Sequence, residues 1–556
     1  ERVDEYRRMR EQAAELEQRV DLLRESLETR RLTAEEHGVL ERAGRRADTG
    51  RRGREAVFHD VLELLRRAER LDRGVAGADA VRARLYLERW HEARNVRDRA
   101  GERFYRELVR QADAAGAHGA VIDGRAALSI TTDPPGAEVF LFRYEEHAVV
   151  DPGGGDRLVP VPVQSEPTVV APGTWALEVE TAAGALLAGD LVLSIEGRAI
   201  ASMRPGEARA AVRSGGRVGR VRDGVLEQLD VPPGATGRVT AAPLLVSPAC
   251  RAGLAPLAAF EVREGSHLVL VRAPGHEPRR VVVDVGPDAD VHLHVALDPA
   301  GRAPPGFVAV RRIDVPGEPP AAAAGGAERF WMAAHEVTAA EYLTFLNDPA
   351  TRAEVDAAGE PIRYPRNARR GARGDGHWPR DAASGLWALP DGWSAEWPVV
   401  GVSQGDALAY AEWFGRRLRA AGSDLVAGLP THAEWIAAAT GGDHRFYVFG
   451  DRFLPQYVSS CFAAETPGLE PVLSYPVDES PLGIFDLAGS AAEWTASWYD
   501  RDRGLVRANG GCWAWAKPES FRAWAAVGVA ADVPGDEFGF RLVLRPAGGD
   551  PEAESR

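Results

Sequence analysis

Between residues 338 and 434, a hydroxyl residue three positions ahead of an acid stands at the head of an apolar run at Thr338 and Glu341, at Ser403 and Asp406, and at Thr431 and Glu434. A side-chain oxygen that accepts the N–H three residues on, answered by a carboxylate that accepts the first N–H, closes the start of a helix. The spacing predicts three short helices, set in chain rich in tryptophan, glycine and irregular stretches.

Two further landmarks follow in order: Ser480-Pro-Leu-Gly-Ile-Phe-Asp-Leu-Ala-Gly-Ser-Ala-Ala-Glu-Trp-Thr495, and Asn509-Gly-Gly-Cys-Trp513, with Phe538-Gly-Phe-Arg-Leu-Val543 closing the segment. Together with His335-Glu-Val-Thr338, Trp397-Pro-Val-Val-Gly-Val-Ser403 and Leu429-Pro-Thr-His-Ala-Glu-Trp435, they resemble the formylglycine-generating enzyme (sulfatase-modifying factor) family. The resemblance runs from residue 307 to about 544. It implies a C-type-lectin-like fold of mixed α/β type. It also implies oxidation of a substrate cysteine with oxygen and copper, through two cysteines soon after the glycine pair. The corresponding positions here are Ser520 and Ala525. A soft copper site needs thiolates, so no catalytic residue is expected and no copper. Cys512 and Cys461 are the two cysteines of this region; a redox site rebuilt around Cys512 is the alternative, against a reading of both as small buried residues.

Family members hold calcium through a side-chain amide, two backbone carbonyls and a carboxylate, and the matching positions are Asp486, Gly489, Ala491 and Glu493. Oxygen ligands at that spacing suit calcium; a capped, hydrogen-bonded loop is the other reading. The resemblance places Trp513, Trp515 and Trp524 along the family's substrate groove. If exposed they form a ligand-binding surface; if buried they are core. His432 stands where the family has glutamate and reads as a residue of the helix start rather than a base. A related oxygenase class adds a helical bundle with three iron-binding histidines, but His37, His59, His91 and His118 do not fall on one helical face.

Upstream, Ala127-Leu-Ser-Ile-Thr-Thr-Asp-Pro-Pro-Gly-Ala-Glu-Val-Phe-Leu141 reads as strand, turn, strand, with Gly136 taking positive φ. It resembles the PEGA family of small β-domains. Pro172–Glu180 and Glu264–Gly275 both fit the second half of such a domain, so two copies or one copy with a long insertion are open. Ala188–Ile200 is similar to the central strand pair of a PDZ domain, without its carboxylate-binding loop; a plain hairpin in a sandwich is the alternative. Before residue 127, Tyr6, Met9, Ala13, Leu16, Val20, Leu23 and Leu27 recur at heptad spacing, and apolar periodicity continues near Val57–Leu71 and Val81–Leu108. A helical stalk is expected, with dimerisation through these helices as the sharper reading.

The expected organisation is therefore a helical or coiled-coil region at 1–126, PEGA-like β modules at 127–300 with an insertion at about 187–240, a formylglycine-generating-enzyme-like domain at 301–546 and a disordered tail at 547–556. That order of parts resembles the C-terminal portion of myxobacterial-type multidomain Ser/Thr kinases. Residue 1 is Glu, which suggests that the chain begins inside a longer protein. Lys517 is the sole lysine and lies in no phosphate loop, so no kinase domain is encoded in these residues. The net charge of −15 argues against nucleic-acid binding. No apolar run is long enough to span a membrane, and three cysteines suit a reducing, cytoplasmic setting. The expectation is a non-catalytic binding or regulatory protein whose partner is a protein or small ligand on the lectin-like domain.

Overall fold

The computed structural model describes residues 56–67, 70, 77–95, 99–113, 116–149, 155–162, 175–187, 190–200, 205–222, 225–241, 251–287, 289–313, 329–359, 361–366, 378–443, 445–453, 455–463, 468–475 and 477–547. The heptad stretch Tyr6–Leu27, His37, Cys250 and the tail beyond 547 lie outside the described residues. The chain divides into two units, one made of Glu1–Ala126 with Pro287–Ala289 and the other of Ala127–Gly286 and Asp290–Arg556.

In the first unit residues 56–67 are helical, followed by α1 (Ala78–Asn95), α2 (Arg99–Ala112) and α3 (Gly119–Ile122). The periodicity from Val81 to Leu108 is split between α1 and α2. Val57, Phe58, Val61 and Leu85 form the small core. Arg89 lies 4.8 Å over the Phe58 ring and 5.5 Å over Tyr105, so its charge caps an aromatic seam. His59 is exposed, and His91 and His118 are half-buried; among the described residues no metal-holding cluster forms.

The second unit opens with β1 (Arg125–Asp133), the turn at Gly136 (φ 81°) and β2 (Glu138–Val149), as the turn residues require. The two strands do not pair with each other. Strand β1 lies between β11 (Leu257–Arg263) and β14 (Asp290–Ala296). Strand β2 pairs with β3 (Gly155–Pro162), β10 (Arg251–Leu254) and β12 (Gly265–Arg272), and β12 pairs with β13 (Arg279–Val285). Strands from both ends of the segment therefore interleave, which makes one β module with an insertion rather than two copies.

The insertion starts earlier than 187. Strand β4 (Trp175–Thr181) is hydrogen-bonded between β5 (Leu191–Ile195) and β9 (Thr236–Ala241), so it belongs to the inserted sheet. The sheet order is β8-β7-β5-β4-β9, with β7 at Gly216–Arg222, β8 at Val225–Val231, and the short β6 (Arg198–Ala199) beside β5. Helix α4 (Pro205–Ser214) covers it, burying Ala208 and Val212 among Val192, Ile195 and Val218.

The last part holds two four-stranded sheets. One runs β15 (Phe307–Arg311), β16 (Arg329–Ala333), β22 (Val543–Pro546), β17 (Leu425–Gly428); the other runs β20 (Ala526–Ala530), β19 (Leu505–Asn509), β18 (Ala492–Asp500), β21 (Phe538–Gly539). Around them lie α5 (Ala339–Leu346), α6 (Pro349–Ala357), α7 (Gln404–Ala420) and α8 (His432–Thr440). All three capping boxes form: Thr338, Ser403 and Thr431 each accept the N–H three residues on, and Glu341, Asp406 and Glu434 each answer. Among the described residues no helix is long and apolar enough to cross a membrane.

Candidate functional site

The site is built on α8. Glu434 answers the cap of Thr431 and is itself buried. Arg545 donates through Nε at 2.8 Å and through its second terminal nitrogen at close range, and Arg312 reaches it at 2.8 Å. Burial works against its charge, but the two guanidinium groups outweigh it and hold the carboxyl below the ordinary carboxylate range. This anchors Trp435, whose Nε1 donates to Glu493 at 2.9 Å. Against Trp435 runs the glycine pair. A Cβ on Gly510 would stand 2.8 Å from the Leu487 carbonyl oxygen, and one on Gly511 would stand 2.3 Å from the Phe521 ring, so side chains larger than hydrogen are sterically refused. Asn509 lies 3.0 Å from Nδ1 of His432, the first residue of α8. Burial, with the nearby Arg507 charge, drives that imidazole down to about 4 against the pull of Asn509, so it is neutral. It is a buried structural residue, as its place at the helix start suggested.

Downstream of the glycines the chain makes a tight turn at Pro518–Phe521. Phe521 drops into the core against Phe453, with ring centroids 5.0 Å apart. Ser520 and Ala525 flank it, both half-buried, and neither carries sulfur. Cys512 is 0% exposed among Trp378, Tyr410 and Trp494. Cys461 is half-buried, and its N–H donates to the Trp515 carbonyl at 3.2 Å. No disulfide joins them. The full burial of Cys512 gives the rebuilt redox site around it no support.

The three tryptophans divide. Trp513 is half-buried and donates through Nε1 to the Asp536 carbonyl at 3.0 Å. Trp515 is wedged between the two core clusters. Trp524 alone presents a free face, 40% exposed, with its ring 5.3 Å from Phe446. Among the exposed aromatics of residues 301–546 that were not singled out from the sequence are Phe462 at 60%, Trp498 at 39% and Tyr499 at 37%. The Tyr499 ring lies over Gly528 of β20, where a Cβ would come within 2.4 Å. Strand β20 ends its sheet among the described residues; Trp524 lies just before it in the chain, and the Tyr499 ring, from β18, covers its face at Gly528. Period-2 alternation does not find them: β18 is buried without a break from Ala492 to Thr495, and the adjacent Trp498 and Tyr499 are both exposed near its end.

The calcium positions fall in a buried acidic cluster. Asp486 adopts φ 56°, the left-handed region that the family's amide residue favours. Its carboxylate accepts the Leu473 N–H at 2.6 Å. Asp478 accepts the N–H groups of Ala488 and Gly489, both at 2.9 Å. Glu336 accepts the Ala491 N–H at 3.2 Å through one oxygen, while the other is buried with no hydrogen-bond partner. Glu493 is saturated. Arg541 donates to it through Nε at 2.8 Å and Nη2 at 2.6 Å, and Trp435 supplies the rest. Arg541 also donates to the carbonyls of Ala333, Phe485 and Asp486.

One guanidinium thus faces four buried carboxyls. Burial, then the charge of Asp486, pushes Glu336 well up; burial raises Asp478 to about 7; and burial, then Asp478, raises Asp486 to about 8. The orphaned Glu336 oxygen and the hard-oxygen donor set fit calcium. Among the described residues no three acid, histidine or cysteine side chains converge on a metal-binding point. An ion there would therefore draw on Asp486, Glu336 and backbone carbonyls of the Gly489–Ala491 loop, with Glu493 committed to Arg541.

Comparison with known proteins follows this geometry. Residues 301–546 match the family described as Sulfatase-modifying factor enzyme 1-like domain. The chain is 27% identical to "Formylglycine-generating enzyme" of Bos taurus over 198 residues, 31% of this chain and 50% of that protein. It is 32% identical to "Inactive C-alpha-formylglycine-generating enzyme 2" of Mus musculus over 189 residues, 30% of this chain and 56% of that protein. It is 30% identical to "Serine/threonine-protein kinase pkn1" of Chlamydia pneumoniae over 202 residues, 33% of this chain and 28% of that protein. The chain thus spans about half the length of the first two relatives and just over a quarter of the third. The relatives include an enzyme, an inactive paralogue and a kinase. The C-terminal part of this chain, residues 301–546, thus resembles a sulfatase-modifying factor enzyme 1-like domain.

Proposed function

We propose that this chain is a non-catalytic binding protein, in which the edge of β20 with Trp524 and Tyr499 receives a protein partner or a small ligand. One observation carries the reading. Where cysteine chemistry requires two thiols stand Ser520 and Ala525, while the adjoining Trp524 keeps an exposed face. Exposed aromatics beside an unpaired strand edge supply both apolar contact and backbone hydrogen bonds to an extended segment. The relative that carries "inactive" in its name and the relative that is a kinase support the reading, as do the absent thiols. The chain would then act as a sensory or scaffolding part of a kinase-type signalling protein in a reducing, cytoplasmic setting, with a dimer formed through its N-terminal helices.

The test is affinity capture by the whole chain against a Trp524→Ala, Tyr499→Ala double variant. The reading expects a stoichiometric partner that the double variant loses while its melting temperature holds. Equal capture by both would place recognition elsewhere.

We further propose that the Asp486 loop takes calcium, which would neutralise surplus carboxylate charge. Calcium should raise the melting temperature, and Asp486→Ala should abolish the rise. An unchanged melting temperature in calcium and in chelator would count against the site.

A further inference from the structure

The loop after α8 is held from two sides. Asp443 and Arg445 are both buried and make a two-pronged pair, Nε to Oδ1 at 2.7 Å and Nη2 to Oδ2 at 2.6 Å. A desolvated pair of this kind is stable only when its remaining hydrogen-bonding capacity is met. Part of that supply comes from the β module. Ser266 of β12 donates its hydroxyl to Asp443 at 2.8 Å, and Tyr144 of β2 lies 4.6 Å beneath the Arg445 guanidinium. The module also packs Val282 of β13 against Gly441, where an added Cβ would stand 2.5 Å from its methyl. Alongside, Arg280 of β13 pairs with Glu479 at 2.8 Å.

The next residue after this pair belongs to the aromatic site. The carbonyl of Phe446 accepts the Ala523 N–H at 2.9 Å, and its ring contacts Trp524 and sits 6.0 Å below the Arg522 guanidinium. A continuous run of contacts therefore joins Ser266 and Tyr144, through Asp443 and Arg445, to Phe446 and Trp524.

We infer that Ser266, Tyr144, Asp443 and Arg445 are positioning residues, through which the β module sets where the Trp524 face stands. This rests on the reading of that face as the binding surface. The β module is then part of the site rather than a tether. The physical reason is that Asp443 has no cheaper alternative: without the Ser266 hydroxyl and the Tyr144 ring face, the buried pair is under-satisfied and the loop relaxes toward water. Phe446 moves with the loop, and Trp524 with Phe446. A chain of contacts becomes a coupling only when perturbing one end is felt at the other.

The test is fluorine NMR on the whole chain labelled with 5-fluorotryptophan. Trp524→Phe and Trp494→Phe identify the two resonances, the second reporting a core tryptophan away from this path. Ser266→Ala and Tyr144→Leu should each shift or broaden the Trp524 resonance beyond its linewidth and leave Trp494 in place. Ser266→Thr, which keeps the hydroxyl, should restore the original Trp524 position. Arg280→Met, which cuts the neighbouring ion pair but not this path, should lower the melting temperature without moving Trp524. The inference is overturned if Trp524 stays put in Ser266→Ala and Tyr144→Leu, or if all tryptophans shift together. No ligand enters the experiment, so an immobile Trp524 refutes the positioning while leaving the binding reading to its own capture test.

Discussion

His432 is the buried first residue of α8. Its imidazole is held neutral, near 4, by burial and by the Arg507 charge. In the unfolded chain the same group titrates near 6.5. As pH falls through 6.5 the unfolded state takes up a proton that the folded state refuses until about 4. The stability this group contributes is therefore complete above pH 6.5 and is lost progressively down to pH 4, by about 3 kcal/mol at most. His432→Gln should flatten the decline of the unfolding midpoint between pH 7 and 4.5 relative to the parent; parallel declines would contradict the assignment. The sequence placed His432 at a helix start from the Leu429–Trp435 motif. It could not supply Asn509 or Arg507, which approach from β19 at separations of more than 70 positions. The tryptophans teach the same lesson. Trp513, Trp515 and Trp524 look alike as letters, and only packing separates the two wedges from the one exposed face.

At the scale of elements, the local signals were the legible ones. A capping box is written in four consecutive residues, so Thr338, Ser403 and Thr431 announced their helices without knowledge of the rest. The cap at Thr431 carries the most, because Glu434 is also the partner of Arg545 and Arg312. Thr431→Ala removes the acceptor for the Glu434 N–H and should cost about 1 kcal/mol in denaturant unfolding. A larger cost would mean that the substitution also disturbs the Glu434 cluster. Strand pairing was much less legible. Pro172–Glu180 resembles the second half of a PEGA-like domain, yet β4 within it pairs with β9, which follows by more than 50 residues. Register between distant strands has no local signature, so the insertion was drawn too short at its start.

At the scale of the molecule, residues 127–286 and 290–556 form one unit. Val282 packs against the core of the C-terminal part, and Arg280, Ser266 and Tyr144 meet it with polar groups. Such an interface should make the β module and residues 301–546 melt in one cooperative step, and residues 301–546 alone should melt at lower temperature than within the chain. Two separated transitions by calorimetry would show the interface to be weak. None of this was legible beforehand, because Ser266 and Asp443 are 177 positions apart. Resemblance divided the chain into independent parts; packing joins two of them.

The non-catalytic reading proposed for residues 301–546 turns on the absence of thiols at Ser520 and Ala525. The most direct measurement mixes the whole chain with Cu(I), oxygen and a cysteine-containing peptide, and follows aldehyde formation and oxygen uptake against a copper-only control. A non-catalytic domain forms no aldehyde and takes up no oxygen above the control. Aldehyde formed by the chain and abolished by Cys512→Ser would contradict it.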